Sequence, residues 1–245
     1  MYPNDLTKLT AMLGIAGLRA SPDVRRIITR SGSRVRTMRF CKRYSEPRLS
    51  HESAVEARHS RCCMLSPSVL DLRTQPIEIY VPGGSDLEDF PYTPDARALV
   101  CPPGRSEPFD VLVECKDDLA YQNDPLLAPR LRRVTEVFAN FGIPFVTVTT
   151  HDLPKTLDHN LDTLQRHRRH LGTPEELLFL SHALANYSFE TLGALVAVVG
   201  RVRALHALAS GQVHFDHFKK LMDSSRLFSN LSEERDAARH LYAGI

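Results

Sequence analysis

Three consecutive stretches restrict the fold more than any other part of the chain. FDVLVECK (109–116) is an apolar strand, DPLLAPRLRRVTEVFANFG (124–142) a helix, and IPFVTVTT (143–150) a second apolar strand. Leu127, Leu131, Val134, Val137 and Phe138 fall on one helical face. Gly142 follows the helix at the position where a left-handed residue ends it. A strand, a long helix and another strand cannot form a hairpin. They require a crossover, and therefore at least one parallel pair. Upstream, SHESAVEARHSRCCMLS (50–66) reads as a helix capped by Ser50 and carrying Val55, Cys62 and Met64. VLDLRTQPIEIYVPGG (69–84) predicts a strand over residues 77–81, closed by Pro-Gly-Gly, and YTPDARALV (92–100) predicts another. The order helix, strand, strand, strand, helix, strand specifies an α/β architecture with a mixed sheet flanked by helices.

The apolar strand 109–116 ends on charge. Glu114 and Lys116 are two apart, so they share a face. If strands two and three pair, Asp95 lies beside Glu114. Adjacent carboxylates in a partly dry site repel by several kcal/mol, as an order of magnitude. Lys116 offsets part of this, and a divalent cation would offset more. Oxygen donors suit Mg²⁺ or Mn²⁺. A helix acid completes the set, and Glu52 and Glu56, four apart, both qualify. Such a group fits metal-dependent phosphodiester hydrolysis: carboxylates hold the ion, the ion activates a water, and the lysine orients that water and offsets charge on the phosphorus. An isolated Glu-x-Lys pair is ordinarily a surface ion pair worth about 0–1 kcal/mol. The ordered set Glu…Pro-Asp…Glu-x-Lys is far more specific.

Pro94-Asp95 with Glu114-Cys115-Lys116 resembles the PD-(D/E)xK nuclease superfamily. Within it, residues of about 50–170 resemble TnsA-type endonucleases, one subunit of heteromeric cut-and-paste transposases. A Ser-x-x-Glu helix followed by V-x-x-x-x-x-QP is matched by Ser53–Glu56 and Val69–Pro76. Ala96 stands where that family commonly has an aromatic residue, and Thr149-Thr150-His151-Asp152 replaces a direct Thr-Asp. The resemblance implies a restriction-endonuclease-like fold, with Glu56 rather than Glu52 joining Asp95 and Glu114 as metal ligands, Lys116 beside them and Gln75 flanking the site. It implies Mg²⁺, with Mn²⁺ substituting, and hydrolysis of the 5′ strand of double-stranded DNA at transposon ends. It also implies two partners, a TnsB-like DDE transposase and a TnsC-like AAA+ regulator. The alternatives on the same residues are a stand-alone restriction-like or defence nuclease, and a non-catalytic DNA-binding scaffold.

Net charge is only +2 across 245 residues, yet residues 19–48 carry ten Lys or Arg and two acids. This predicts a basic N-terminal arm over 1–48, with Arg25, Arg26, Arg30, Arg34, Arg36, Arg39, Lys42 and Arg43 as phosphate contacts. The nuclease domain is expected over 49–170. A small, mostly helical domain, with a winged helix as one form, is expected over 171–245 to contact DNA or a partner. There Val202, Leu205 and Leu208 predict one helix, Gly211 a break, and Val213, Phe215, Phe218, Leu221 and Met222 a second. Arg201, Arg203, Lys219 and Lys220 are its candidate phosphate contacts. His167 with His170, and His214 with His217, have the spacing of helical metal ligands but no evident third donor. Five cysteines without a CxxC argue for a reducing cytosol rather than a disulfide frame. No stretch of about 18 apolar residues and no signal-peptide pattern is seen, so a cytoplasmic protein, on the nucleoid when bound to DNA, is expected. No Gly-rich phosphate loop and no G-x-S-x-G appears.

Overall fold

The computed structural model describes residues 20–21, 37–41, 44–85, 87–101, 106–140, 142–153, 155–168, 172–228 and 242. Its centre is a four-stranded mixed sheet in the order β4-β7-β8-β9, made of Val69–Thr74, Ala96–Val100, Phe109–Lys116 and Phe145–Thr149. The first two pairings are antiparallel and the last is parallel. In the parallel pair Leu112 lies opposite Phe145, and Lys116 opposite Thr149. The crossover between them is the amphipathic helix α3 (Leu127–Asn140), preceded by the short α2 (Asp118–Asn123). Leu131, Val134, Val137 and Phe138 of α3 are buried, as their spacing predicts.

Two further strand groups flank this sheet. β2 (Thr37–Phe40) and β3 (Arg48–His51) form an antiparallel hairpin, which spans the junction between the basic arm and the expected nuclease domain. β1 (Ala20–Ser21), β5 (Glu78–Val81) and β6 (Phe90–Tyr92) form a three-stranded sheet. The strand expected at 77–81 therefore exists, but it does not join the main sheet. Val69–Thr74 takes that place. The switch occurs at Gln75, whose φ of 45° is the left-handed value that only a few per cent of non-glycine residues adopt. Pro76 comes next and cannot continue the ladder.

The two faces of β8 serve different cores. Val111, Val113 and Cys115 pack with Val55, Cys62 and Cys63 of α1 (Ala54–Leu65). Leu112 faces the other way, toward Val134, Val137 and Phe138 of α3 and Ile79 of β5. The cap of α1 is Ser53 rather than Ser50: its Oγ accepts from the Glu56 N–H at 3.1 Å. Residues 55–57 and 59–65 are all buried, because a second helix, α4 (Lys155–Arg168), covers the side away from the sheet. Arg58 ties the two helices through Asp158 at 2.8 Å, and Arg61 pairs with Asp162.

Beyond α4 come α5 (Pro174–Asn186), α6 (Leu192–Val199) and α7 (Arg201–Ala209). Thr173 and Glu176 form a reciprocal capping box around Pro174 at the start of α5. Gly211, at φ 73°, ends the α7 region. The helix expected after it does not form. Residues 213–228 instead take an irregular path with isolated bridges Thr191–Arg226 and His214–Phe228. The physical cause is buried Asn160 on α4. Its Nδ2 donates to the carbonyls of His217 and Lys219 at 3.0 and 2.7 Å, and its Oδ1 accepts from Leu221 N–H at 2.9 Å. Three backbone groups that a helix would use internally are thus satisfied from outside. His214 and His217 are consequently not helical neighbours, and His170 lies outside the described residues. Among the described residues no helix is long and apolar enough to cross a membrane.

Two buried histidines join these parts. His51 Nδ1 lies 3.1 Å from Thr37 Oγ1 and its Nε2 lies 2.8 Å from Ser60 Oγ, linking hairpin to α1. His59 Nε2 lies 2.7 Å from the hydroxyl of Tyr242. Burial, with Arg39 adding to it, lowers His51 to about 4, and burial with His51 lowers His59 to about 3. Both are therefore neutral in the fold and charge readily only when unfolded. Their stability is complete above about pH 6.5 and is lost as pH falls toward 4, each ring costing about 2 kcal/mol at pH 5. In urea unfolding at pH 7 and pH 5, His59→Gln is expected to lose about 2 kcal/mol less than wild type between the two pH values. Equal losses would show that His59 is not held neutral.

Candidate functional site

Antiparallel pairing of β7 with β8 brings Ala96 opposite Val113, so Asp95, one residue before β7, arrives at the end of β8. There Asp95 Oδ2 accepts from Cys115 N–H at 2.7 Å. Gln75 N–H in turn donates to the Asp95 carbonyl at 3.0 Å, continuing the β4–β7 ladder to the same point. Glu114 and Lys116 project from one face of β8, and their side chains form an ion pair. The Lys116 ammonium also stands 3.9 Å from Asp95 Oδ2. The second Glu114 oxygen accepts from the Tyr92 hydroxyl at 2.5 Å. Glu114 is only 4% exposed and Glu56 only 7%.

Glu56 comes from α1, on the opposite face of β8. Its Oε2 accepts from Glu52 N–H at 2.8 Å, which holds its carboxylate at the helix N-terminus. Glu56 is close enough to Asp95 and Lys116 for each to feel its charge. Asp95, Glu114, Lys116 and Gln75 line an open cleft of about 520 Å³ with Glu52, Glu78, Phe90, Tyr92 and Arg130, whereas Glu56 lies behind its wall. The two candidate helix acids therefore differ: Glu52 faces the cleft, and Glu56 is buried beside Asp95. Among the described residues no three His, Cys, Asp or Glu side chains are gathered tightly enough to hold an ion. Glu114 is taken up by Lys116 and Tyr92, and Glu56 approaches from the other layer.

The electrostatics arise from this crowding. Burial, then the Glu114 charge, pushes the Asp95 carboxyl well above its ordinary range, against the opposing pull of Lys116. Burial likewise raises Glu56. Burial alone would lower Lys116, but Glu114 and then Asp95 outweigh it, and the ammonium is raised above its usual value. Lys116 is thus firmly charged. Desolvation and Glu114 raise the Tyr92 phenol, which stays a donor. Cys115, between the two charged residues, faces the core, and burial pushes its thiol up as well. The donors are carboxylate oxygens, the chemistry a hard divalent cation takes, but their present spacing does not form a site for one.

Of the arm residues, Arg39 lies on β2 and donates to Gln165 Oε1 of α4 at 3.1 Å. Arg25, Arg26, Arg30, Arg34, Arg36, Lys42 and Arg43 lie outside the described residues. Arg201 and Arg203 pair with Asp223 and Glu176, and Lys219 stands 3.7 Å from Asp216. Lys220 lines a separate cavity with Arg226. Tyr92 and Arg130 are cleft residues that sequence reasoning passed over. Tyr92 stands three residues before Asp95 in YTPD, and Arg130 one residue before the apolar Leu131 in the helix. Compared with models of known protein families and with curated proteins, the chain matches none.

Asp95→Asn keeps an oxygen for the Cys115 N–H and removes one charge from the cluster. A carboxyl whose folded pKa is raised stabilises the fold fully below its unfolded value, and that stability is lost as pH rises through the folded value. The variant is therefore expected to melt above wild type at pH 8, by about 2–4 °C for each kcal/mol relieved, with the gap closing toward pH 4. Calorimetric melting at the two pH values checks this. A lower Tm at pH 8 would mark the cluster as a structural ion pair.

Proposed function

We propose that this chain is a metal-dependent DNA endonuclease, the strand-cutting subunit of a cut-and-paste transposase. The observation that carries the proposal is the meeting of Asp95, Glu114 and a charged Lys116 at the end of β8, in an open cleft with Glu56 buried beside them. The order of α1, β4, β7, β8, α3 and β9, with two antiparallel pairings and one parallel, supports a restriction-endonuclease-like core.

In this reading Glu56, Asp95 and Glu114 are the ligands of Mg²⁺, with Mn²⁺ able to substitute. They would have to draw together to hold it, since in this arrangement Glu56 lies behind the cleft wall and Glu114 is engaged by Lys116 and Tyr92. When bound, such an ion supplies a Lewis acid for the phosphate and lowers the pKa of a water. Asp95 and Glu114 already share one cation, the Lys116 ammonium, and would have to exchange part of that contact to hold a divalent ion. Lys116 keeps its proton there, so it serves as a donor. It orients the attacking water and offsets the negative charge that builds on the phosphate oxygens. Tyr92 fixes the second Glu114 oxygen and leaves that carboxylate one orientation. Water attacks phosphorus and gives up a proton to solvent as the new P–O bond forms. The P–O bond to the other strand fragment breaks, and its leaving oxygen takes a proton from solvent. Double-stranded transposon ends are the substrate in this reading. A TnsB-like transposase and a TnsC-like regulator are its partners.

The test is calorimetric titration of Mg²⁺ or Mn²⁺ into the protein with short duplex DNA, beside a nicking assay. Wild type is expected to bind the ion and nick. Asp95→Ala is expected to lose both, with nicking down about 10²–10³-fold or more and an unchanged circular-dichroism spectrum. Full nicking by the variant overturns the assignment.

A further inference from the structure

The cleft carries more acid than base. Glu52, Glu78, Asp95 and Glu114 line it, and among its described lining residues the basic ones are Lys116 and Arg130. A DNA strand brings further negative charge into the same space. The carboxylates alone would repel it, and Lys116 is committed to Glu114 and Asp95. Arg130 is differently placed. It lies in the first turns of α3, is exposed, and forms no ion pair among the described residues. Its guanidinium stands over the Phe90 ring, 5.7 Å from the centroid.

Among the described residues no carboxylate or carbonyl takes the Arg130 N–H groups, so the ring contact leaves them open. A guanidinium held by a carboxylate commits its N–H edge to that partner. One that stands near an aromatic ring and has no such partner is restrained while its N–H donors remain available to a ligand. Such an edge matches two oxygens of a phosphate. Arg133, one turn along, shows the contrasting case. Its Nε donates to the Pro82 carbonyl at 2.7 Å and its Nη1 lies 3.3 Å from Glu136, so its edge is occupied. Arg132 is exposed but does not line the cleft.

We propose that Arg130, steadied by Phe90, binds a backbone phosphate of duplex DNA in this cleft and so seats the strand against Asp95, Glu114 and Lys116. The proposal rests on the endonuclease reading and adds to it the residue that holds the substrate. Arg130 contributes binding rather than bond breaking, so its loss acts on DNA affinity and KM more than on kcat.

The experiment is fluorescence-anisotropy binding of a short duplex across a salt series, with cleavage blocked by Asp95→Asn in every protein. Arg130→Gln is expected to reduce the slope of log K against log salt by about 0.9, the share of one phosphate. It is also expected to weaken binding about tenfold at fixed salt, as removal of a charge-assisted hydrogen bond does. Arg130→Lys is expected to recover the slope but only part of the affinity. Arg132→Gln, an equal loss of charge outside the cleft, is expected to change both far less. Equal effects of Arg130→Gln and Arg132→Gln overturn the proposal, and so does full recovery of affinity by lysine. Cleavage by the unblocked wild-type chain with Mg²⁺ or Mn²⁺ is scored separately. Should it fail while the contrast between Arg130 and Arg132 holds, the phosphate contact stands and the endonuclease reading falls.

Discussion

The structure turns on how charge is tolerated at the end of a buried strand. β8 is the one strand of the main sheet that pairs antiparallel on one edge and parallel on the other. From Val111 to Val113 it is wholly apolar and inaccessible. A carboxylate placed next in such a strand meets a desolvation cost that no surface acid bears. Glu114 is retained because three groups answer it: the Lys116 ammonium two residues on, the Tyr92 hydroxyl from β6, and the polar cleft outside. Asp95 survives on the Cys115 N–H and the same ammonium. The strand order, the position of Asp95 one residue before β7 and the placing of β6 all serve this point. Moved elsewhere, any one of them leaves a buried charge without its partner.

Helix α1 is the second shared element. It packs on β8 with one side and on α4 with the other, which is why its sequence shows so little polarity contrast. Its polar side chains act as fasteners. Ser60 engages His51 of the hairpin, Arg58 engages Asp158 of α4, and His59 engages Tyr242 near the end of the chain. The segments that hold α1 are thus far apart in sequence, and the position of Glu56 depends on all of them. The two sets of titrating groups have opposite signs. Neutral His51 and His59 favour the fold at higher pH, whereas Asp95 and Glu56, reluctant to ionise, favour it at lower pH. The acidic cluster therefore opposes its own scaffold as pH rises.

The parts of this arrangement legible in the sequence were those with strong local patterns. FDVLVECK, the α3 face and IPFVTVTT implied the parallel pair, and Glu114 with Lys116 implied a shared face. The hidden parts depended on distant partners. Val69–Thr74 is a main-sheet strand despite Asp71, Arg73 and Thr74. Asp71 is buried because the Ser45 N–H and hydroxyl, at 2.9 and 2.7 Å, and Arg97 satisfy it. No pattern within VLDLRT announces those partners. The diversion of residues 78–81 into a second sheet rests on a left-handed Gln75, a conformation its residue type does not advertise. The missing helix after Gly211 was likewise decided by Asn160, more than fifty residues away. Tyr92 had a sequence signal, its nearness to Asp95, but only the β5–β6 pairing brings its hydroxyl to Glu114.

The choice between Glu52 and Glu56 shows why spacing alone left the site incomplete. Only the family resemblance set Glu56 ahead; by spacing alone the two are equivalent, four apart on one helix face. They are not, because α1 begins at Ala54 and Glu52 precedes it. Glu52 belongs to the turn that enters the helix, so its side chain reaches the cleft while its N–H turns back to Glu56. Glu56 is in the first turn, where Ser53 caps its N–H and free backbone donors favour a negative charge. That setting partly offsets the cost of burying its carboxylate beside Asp95. The capping serine and the buried acid are thus one device: the hydrogen bond that starts the helix also fixes where the charge sits relative to β8.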